Sequence, residues 1–339
     1  MATVLITGIT GFIGSHIAIQ LLDQGYKVTG TTRSISRSAE IKGILSAHTR
    51  SIDNLKLVQI NLTDSEEKWT SVMDGMDFVM HVASPLPRIM PKNPDDVIVP
   101  AKTGVLNVLK AASHSNVKRV VLTSSMAAIA YGVVKDKVFT EADWTDGDNL
   151  KDTTTYVRSK AIAEKAGWEY MKNETSGMEF TTVNPGLVLG PILDRNDYGT
   201  SAALILKMLD GSLPALPKIG YSIVDVRSVA DMHIKAMTVP EAAGERFLCA
   251  NTFATMSEIA EVLRKKFPER KIPKLALPDF VLKLVAIFDQ QTAPAVIELN
   301  SKRTHDNSKA KKILGWEPIP DEQSIVDTAQ SLIDLEFVK

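Results

Sequence analysis

Residues 5–18 read LITGITGFIGSHIA: a β-branched apolar run, then glycines at Gly8, Gly11 and Gly14, then a helix-like run. Three glycines between a strand and a helix constrain the chain more than any other feature. A helix start carries unsatisfied N–H groups and the positive end of the helix dipole. A pyrophosphate fits that place when the backbone can approach it closely. Gly8 and Gly11 remove Cβ atoms that would block the approach, and Gly14 is expected to let the helix lie tightly on the sheet.

The same two periodicities alternate through the first 185 residues. β-branched runs occur at residues 4–6, 27–32, 55–60, 78–82, 119–123 and 180–183. Helical patterns lie between them at residues 12–24, 39–47, 66–73, 95–113 and 155–172. Strand, helix, strand in regular order implies right-handed crossovers and a parallel sheet covered on both faces. The strand runs are apolar throughout, as buried parallel strands require. The expected fold class is therefore α/β: a Rossmann-type, doubly wound parallel sheet.

After Pro185 the rhythm changes, with proline and glycine at Pro191, Gly199, Gly211, Pro214, Pro217 and Gly220. Residues 222–226 and 246–249 read as strands added to the sheet. The tail from Met256 is mostly helical. The expected organisation is a dinucleotide-binding domain at 1–185, extended by 222–250, and a smaller substrate-binding part at 186–221 and 251–339. Basic stretches at 264–274 and 302–312 have acids close by and read as solvated surface.

The 339 residues carry a formal net charge of −1, 44% hydrophobic and 23% charged side chains. That balance argues against a non-specific nucleic-acid or membrane-surface binder. The single cysteine, Cys249, precludes an internal disulfide and reads as a small buried hydrophobe. No N-terminal signal pattern and no long apolar span is visible, so a cytoplasmic location is expected. The six histidines show no metal-ligand spacing, so no metal is expected. His81, in MHVAS, reads as structural.

The second strand distinguishes between dinucleotides. An NAD site carries an acid there for the ribose 2′-hydroxyl. This strand ends instead in Arg33-Ser34, with Arg37 following and no acid before Glu40. A guanidinium suits a 2′-phosphate, so NADPH is expected over NAD.

Tyr156 and Lys160 stand four apart at the start of a strong helix, on one face. A free phenol has a pKa of about 10, and a cation nearby lowers it. The lysine is therefore expected to tune the tyrosine and to hold the nicotinamide ribose.

The glycine spacing G-x-x-G-x-x-G, with YVRSK in the expected order after it, resembles the extended branch of the short-chain dehydrogenase/reductases. YVRSKAIAEKAGW, TVNPGLVLGP, DVRSVADMHIKAM and KAKKILGW are similar to the dihydroflavonol reductase/cinnamoyl-CoA reductase group, which includes microbial NADPH-dependent aldehyde and ketone reductases. The resemblance runs from Thr3 to about Trp316. It implies a Ser-Tyr-Lys catalytic set of Ser125, Tyr156 and Lys160, with Ser124 nearer the cofactor. It implies cofactor contacts from Gly8, Thr10, Gly11, Phe12, Ile13 and Gly14 in the turn, and from Arg33, Ser34 and Arg37. Asn61 and Leu62 would lie by the adenine, Ala83 and Ser84 along the phosphate and ribose. Thr123, Ser124, Tyr156, Lys160, Pro185, Gly186 and Val188 would complete the cofactor site. Leu86, Met126, Tyr198, Ile219 and Tyr221, with Ile129 and Thr153, are the candidate pocket, which suggests an uncharged carbonyl substrate. Asp225 and Arg227 resemble a segment at the site's edge, or else form an internal ion pair.

Plant cinnamoyl-CoA reductases carry asparagine and Tyr-Cys-Tyr around the catalytic tyrosine, and this chain has Thr154, Thr155, Tyr156, Val157 and Arg158 instead. A carbonyl reductase is therefore favoured over a CoA-thioester reductase. The expected activity is hydride transfer from NADPH to an aldehyde or ketone. An NAD-dependent nucleotide-sugar epimerase or dehydratase and a non-catalytic NADPH sensor remain as alternatives. The partners expected are a small-molecule substrate and, from the superfamily's habit, a second copy of the chain.

Overall fold

A computed structural model describes residues 1–85, 87, 91–134, 137–195, 199–289 and 292–338. The glycine turn joins strand β1 (Thr3–Thr7) to helix α1 (Phe12–Asp23). Strand β2 (Lys27–Thr32), α2 (Ser38–Ser46), β3 (Leu55–Gln59) and α3 (Glu66–Met73) follow. Then come β4 (Phe78–His81), α4 (Asp95–Ser113), β5 (Arg119–Thr123), a short strand β6 (Lys137–Phe139), α5 (Thr155–Met171) and β7 (Glu179–Pro185). With β10 (Arg246–Cys249) these build a seven-stranded sheet in the order β10-β7-β5-β4-β1-β2-β3. Every pairing in it is parallel.

The apolar runs are buried as expected: all five residues of β5 are buried. Helices pack both faces, α1, α2 and α7 (Val226–Thr238) against one, α3, α4 and α5 against the other. Because β1 lies between β4 and β2, connections leave its two sides in opposite directions. The carboxyl ends of β1 and β4 thus form the switch point where open parallel sheets bind ligands.

The later strands divide. Residues 246–249 join the central sheet beside β7. Residues 222–226 do not, which corrects the expectation. Strand β9 (Gly220–Asp225) pairs with β8 (Leu187–Leu189) and β11 (Thr252–Thr255) in a separate three-stranded sheet. That sheet caps a second apolar core shared with α6 (Thr200–Leu209), α8 (Met256–Lys266) and α12 (Asp321–Asp334). Helix α8 opens on a reciprocal capping box between Thr255 and Glu258.

The tail returns to the first core. After α9 (Asp279–Phe288) and α10 (Ala293–Glu298), strand β12 (Arg303–His305) pairs with β6, and α11 (Ser308–Leu314) precedes Trp316. Trp316 is fully buried among α1 and α7 residues, and its indole N–H donates to the Ser228 carbonyl at 2.9 Å. Trp316→Ala removes a large buried ring and its hydrogen bond to that carbonyl. It should lower unfolding free energy by about 3–5 kcal/mol, read as a shifted urea midpoint; a shift under about 1 kcal/mol would show that the tail is not integral to this core.

Candidate functional site

The turn after β1 is held against β4. The Thr7 hydroxyl bonds His81 Nδ1 at 2.8 Å and accepts the Ala83 N–H at 3.0 Å. Gly8 has φ +71°, and a Cβ there would lie 3.0 Å from the Ala83 backbone. This position demands glycine twice over, for its dihedral and for the close approach. Gly14 plays a different part from the one expected. Its missing Cβ would sit 2.3 Å from the Gly8 carbonyl oxygen, so it packs helix on turn rather than helix on sheet. Gly11 is exposed and caps α1 without any side-chain hydrogen bond, and the first turn holds no acid. Thr10 is exposed, Phe12 and Ile13 half-buried. An uncapped helix start with a cleared approach fits a dinucleotide pyrophosphate.

At the end of β2, Arg33 is exposed and has no hydrogen bond or ion pair among the described residues. Arg37 differs: its Nε and Nη2 fork onto Glu40 at 2.9 and 2.6 Å. The free guanidinium is thus Arg33, and Arg37 must leave Glu40 before it can reach an anion. The Ser34 hydroxyl pairs with Ser36 at 2.7 Å. After β3, the Asn61 backbone N–H donates to Asp64 at 2.8 Å, and its half-buried side chain also hydrogen-bonds that carboxylate. Leu62 packs against Gly104 of α4. Ala83 and Ser84 are both half-buried beside the turn.

Strand β5 ends at Thr123-Ser124-Ser125, and the two serines diverge. Ser124 is buried and donates its hydroxyl to Glu164, so it faces the interior rather than a cofactor. Ser125 is half-buried, caps the next turn by accepting from Ala127 N–H at 3.1 Å, and faces Tyr156. Helix α5, capped by Thr154, carries Tyr156 in its first turn and Lys160 in its second. The Lys160 ammonium donates to the Thr123 carbonyl at 3.2 Å, the only one of its three protons so used among the described residues. Burial lowers its pKa to about 8, with Glu164 pulling the other way. The Tyr156 phenol is pushed above its ordinary value by burial, opposed only by Ser125. In the protein alone burial outweighs the Ser125 hydrogen bond, so the expected acidification of Tyr156 is not seen. At neutral pH this phenol keeps its proton.

Other candidates resolve individually. Thr123 gives its hydroxyl to His233 at 2.7 Å. Pro185 closes β7. The next residue, Gly186, has no room for a Cβ, which would lie 2.1 Å from the Ser222 carbonyl oxygen. Val188 is buried in the first apolar core. Met126 and Ile129 are buried in one small cluster and Ile219 in the second core, so each is packing first. Thr153 is buried with its hydroxyl on the Asn149 carbonyl. Tyr221 is half-buried and keeps its proton, pushed up by burial and by Glu298. Leu86 and Tyr198 lie outside the described residues. Asp225 and Arg227 form the internal ion pair: Arg227 spans Asp225 at 2.7 Å and Asp327 at 2.6 Å, and Asp225 is fully buried. Cys249 is buried, and burial raises its thiol pKa. Among the described residues no cluster of histidine, cysteine or acid could hold a metal, and no helix is long and apolar enough to cross a membrane.

Glu164 carries no motif of its own in the sequence. It is the next residue on the Tyr156–Lys160 face of α5, and an acid on a buried helical stripe was the signal available. Its side chain is completely buried and collects donors from β5, β7, β10 and α5.

A nucleotide cradle at a Rossmann switch point, with Ser125, Tyr156 and Lys160 at the neighbouring strand end, defines a short-chain dehydrogenase/reductase of the extended kind. Residues 4–250 match the NAD dependent epimerase/dehydratase family, and the chain belongs to it. It is 34% identical to cinnamoyl-CoA reductase 1 of Petunia hybrida over 97% of this chain and 91% of that protein. An oxidoreductase of Schizosaccharomyces pombe is 33% identical over 97% and 96%. The crystal structure of yeast methylglyoxal/isovaleraldehyde reductase Gre2 with NADPH superposes with a TM-score of 0.83 at 27% identity, covering 99% of both chains. The dihydroflavonol reductase/cinnamoyl-CoA reductase group is thus the part of the family to which the chain is similar, and it is an oxidoreductase.

Three buried histidines carry a pH signature. Burial lowers the pKa of His16 to about 4, of His81 to about 3 and of His233 to about 4. In the unfolded chain each titrates near 6.5. The unfolded state therefore takes up protons first as pH falls. Their contribution is complete above about pH 6.5 and drains by up to about 1.4 kcal/mol per pH unit for each histidine as pH drops toward 4. Urea titrations at about pH 7 and about pH 5 should differ by several kcal/mol; equal stability at both would mean these rings are protonated in the fold.

Proposed function

We propose that this protein is an NADPH-dependent carbonyl reductase that converts an uncharged aldehyde or ketone to an alcohol. The observation that carries the reading is the half-buried, protonated Tyr156 phenol facing the Ser125 hydroxyl at the end of β5, with Lys160 one helical turn further.

NADPH supplies hydride when bound. Its pyrophosphate would lie on the N–H groups at the start of α1, cleared by Gly8 and Gly11, and its 2′-phosphate on Arg33. Two unused Lys160 protons would hold the nicotinamide ribose hydroxyls. Ser125 donates a hydrogen bond to the substrate's carbonyl oxygen, and Tyr156 gives its proton to that oxygen as it becomes an alkoxide. A phenol that keeps its proton at neutral pH is in the right state for this direction. Positioning matters as much as acidity, because hydride transfer needs a short, aligned path. The crystallised relative is a methylglyoxal/isovaleraldehyde reductase holding NADPH, which supports both the cofactor and the substrate class.

Arg33 stands where an NAD site would carry an acid, which favours this reading over an NAD-dependent epimerase. Arg33→Ala should raise the NADPH Kd by about tenfold or more, the loss of one charged phosphate contact, and leave NADH use within about twofold. Equal losses for both coenzymes in fluorescence titrations would remove the 2′-phosphate assignment. Tyr156→Phe should cut NADPH oxidation over an aldehyde and ketone panel by about a thousandfold with NADPH affinity nearly unchanged. A variant retaining most of its activity would end the proton-donor role.

A further inference from the structure

Glu164 lies at full burial among five donors. Its Oε1 accepts from Arg246 Nε at 2.6 Å, Thr182 Oγ1 at 3.2 Å and Trp168 Nε1 at 3.2 Å. Its Oε2 accepts from the Ser124 hydroxyl and from Asn184 Nδ2 at 2.7 Å. Two of these donors lead directly to Ser125. Ser124 precedes it, with its own N–H on the Val183 carbonyl at 2.8 Å. Asn184 Nδ2 also reaches the Ser125 carbonyl at 3.2 Å. The carboxylate therefore fixes the peptide that carries Ser125 from both sides.

Apolar packing gives no reason for a carboxylate here. A buried charge is costly unless paired and fully hydrogen-bonded. Arg246 supplies the pairing, and it is itself fixed by the Glu141 and Asp143 carbonyls at 2.5 and 2.8 Å and stacked 3.7 Å from the centre of the Trp144 ring. An elaborate cation mount on the outermost strand thus pairs one acid beneath the strand end that carries Ser125.

We infer that Glu164 is the positioning residue of the Ser125–Tyr156–Lys160 set: it clamps the Ser124–Ser125 peptide through Ser124 and Asn184, and its charge faces the Lys160 ammonium one turn away. The inference rests on the reductase reading above. Lys160 has few other charged neighbours. From its own helix it meets Tyr156, protonated at neutral pH, and Glu164. From β4 it meets His81, neutral near pH 7. From β5 it meets the Thr123 carbonyl, behind which His233 of α7 is also neutral. From β7 it meets no titratable side chain, and from β10 only Arg246, behind Glu164. The balance between Glu164 and Arg246 therefore sets the charge that Lys160 sees.

Removing either partner breaks the same ion pair, yet the two removals change that charge in opposite senses. Glu164→Gln takes away the anion, so the alkaline limb of the kcat profile should move to lower pH. Arg246→Gln leaves the anion held by Ser124, Asn184, Thr182 and Trp168, so the limb should move to higher pH. Both variants should lose about tenfold or more in kcat with KM for NADPH within about threefold. The experiment is the kcat–pH profile of the wild type and both variants with NADPH and one accepted aldehyde. A purely structural pair would lower the active fraction of both variants and leave both limbs in place, which overturns the inference.

Should Glu164→Gln not fold, Ser124→Ala removes one arm of the clamp. It should lower kcat by about fivefold with an unmoved melting temperature, and an unchanged kcat would overturn the inference. Should the wild type reduce no carbonyl compound at all, the reductase reading falls instead. The clamp is then judged from crystal structures of Ser124→Ala and Arg246→Gln, where Ser125 displaced from Tyr156 upholds it and an unmoved Ser125 refutes it.

Discussion

The molecule is organised around the close approach of two backbones at the split in its parallel sheet. Gly8, at φ +71°, rests against the Ala83 backbone, and the Thr7 hydroxyl ties the ends of β1 and β4 through His81 and the Ala83 N–H. A side chain at Gly8 would push the two strand ends apart. That would tilt the start of α1, whose free N–H groups suit an anion on the same edge as the Arg33 guanidinium. Gly14 continues the same constraint in the first turn of α1, which can pack there only if no Cβ meets the Gly8 carbonyl. Gly8 and Gly14 make this contact against the turn's own backbone and the neighbouring strand, and it leaves the start of α1 open.

A second theme is the use of buried charge to fasten chain segments far apart in sequence. Asp225 caps α7, pairs with Arg227 and accepts the Ser324 hydroxyl of α12 at 2.8 Å. Arg303 of β12 reaches Asp152 at 2.7 Å, Glu298 at 3.3 Å and the Ala130 carbonyl at 2.6 Å, and it stacks on Tyr131, whose hydroxyl donates to Glu298. Such pairs add little net stability over apolar packing, since desolvation offsets their attraction. They do fix geometry, because a mispaired buried ion is expensive. The first ties α12 to β9 and α7, and the second ties β12 to the segments before and after β6.

Much of the fold was legible in the sequence because periodicity is a local property. The boundaries of β2, β5, α3 and α4 fall where the apolar pattern ends. The site was legible where a motif carries its own geometry, as with four-residue spacing on a helix or glycines in a turn. It was illegible where the deciding partner is remote. Nothing near Ser124 and Ser125 says which faces inward; Glu164, forty residues on, decides it. Nothing in KVTGTTRSISR says that Arg37 is engaged and Arg33 free. The strand at 222–226 has the composition of a sheet member, and only the chain path puts it in a different sheet.

The sequence alone determined the parallel α/β architecture, the glycine turn and the presence of a tyrosine and lysine on one helical face, because hydrophobic period and backbone permissiveness are written in adjacent residues. Only the tertiary structure decided the state of those groups. Whether a phenol is acidified or held protonated, whether a guanidinium is free, and which of two serines faces its neighbours all depend on burial and on long-range partners. Those are set when segments 20 to 82 residues apart close on one another, and electrostatic energies inside a protein follow that three-dimensional enclosure rather than sequence distance.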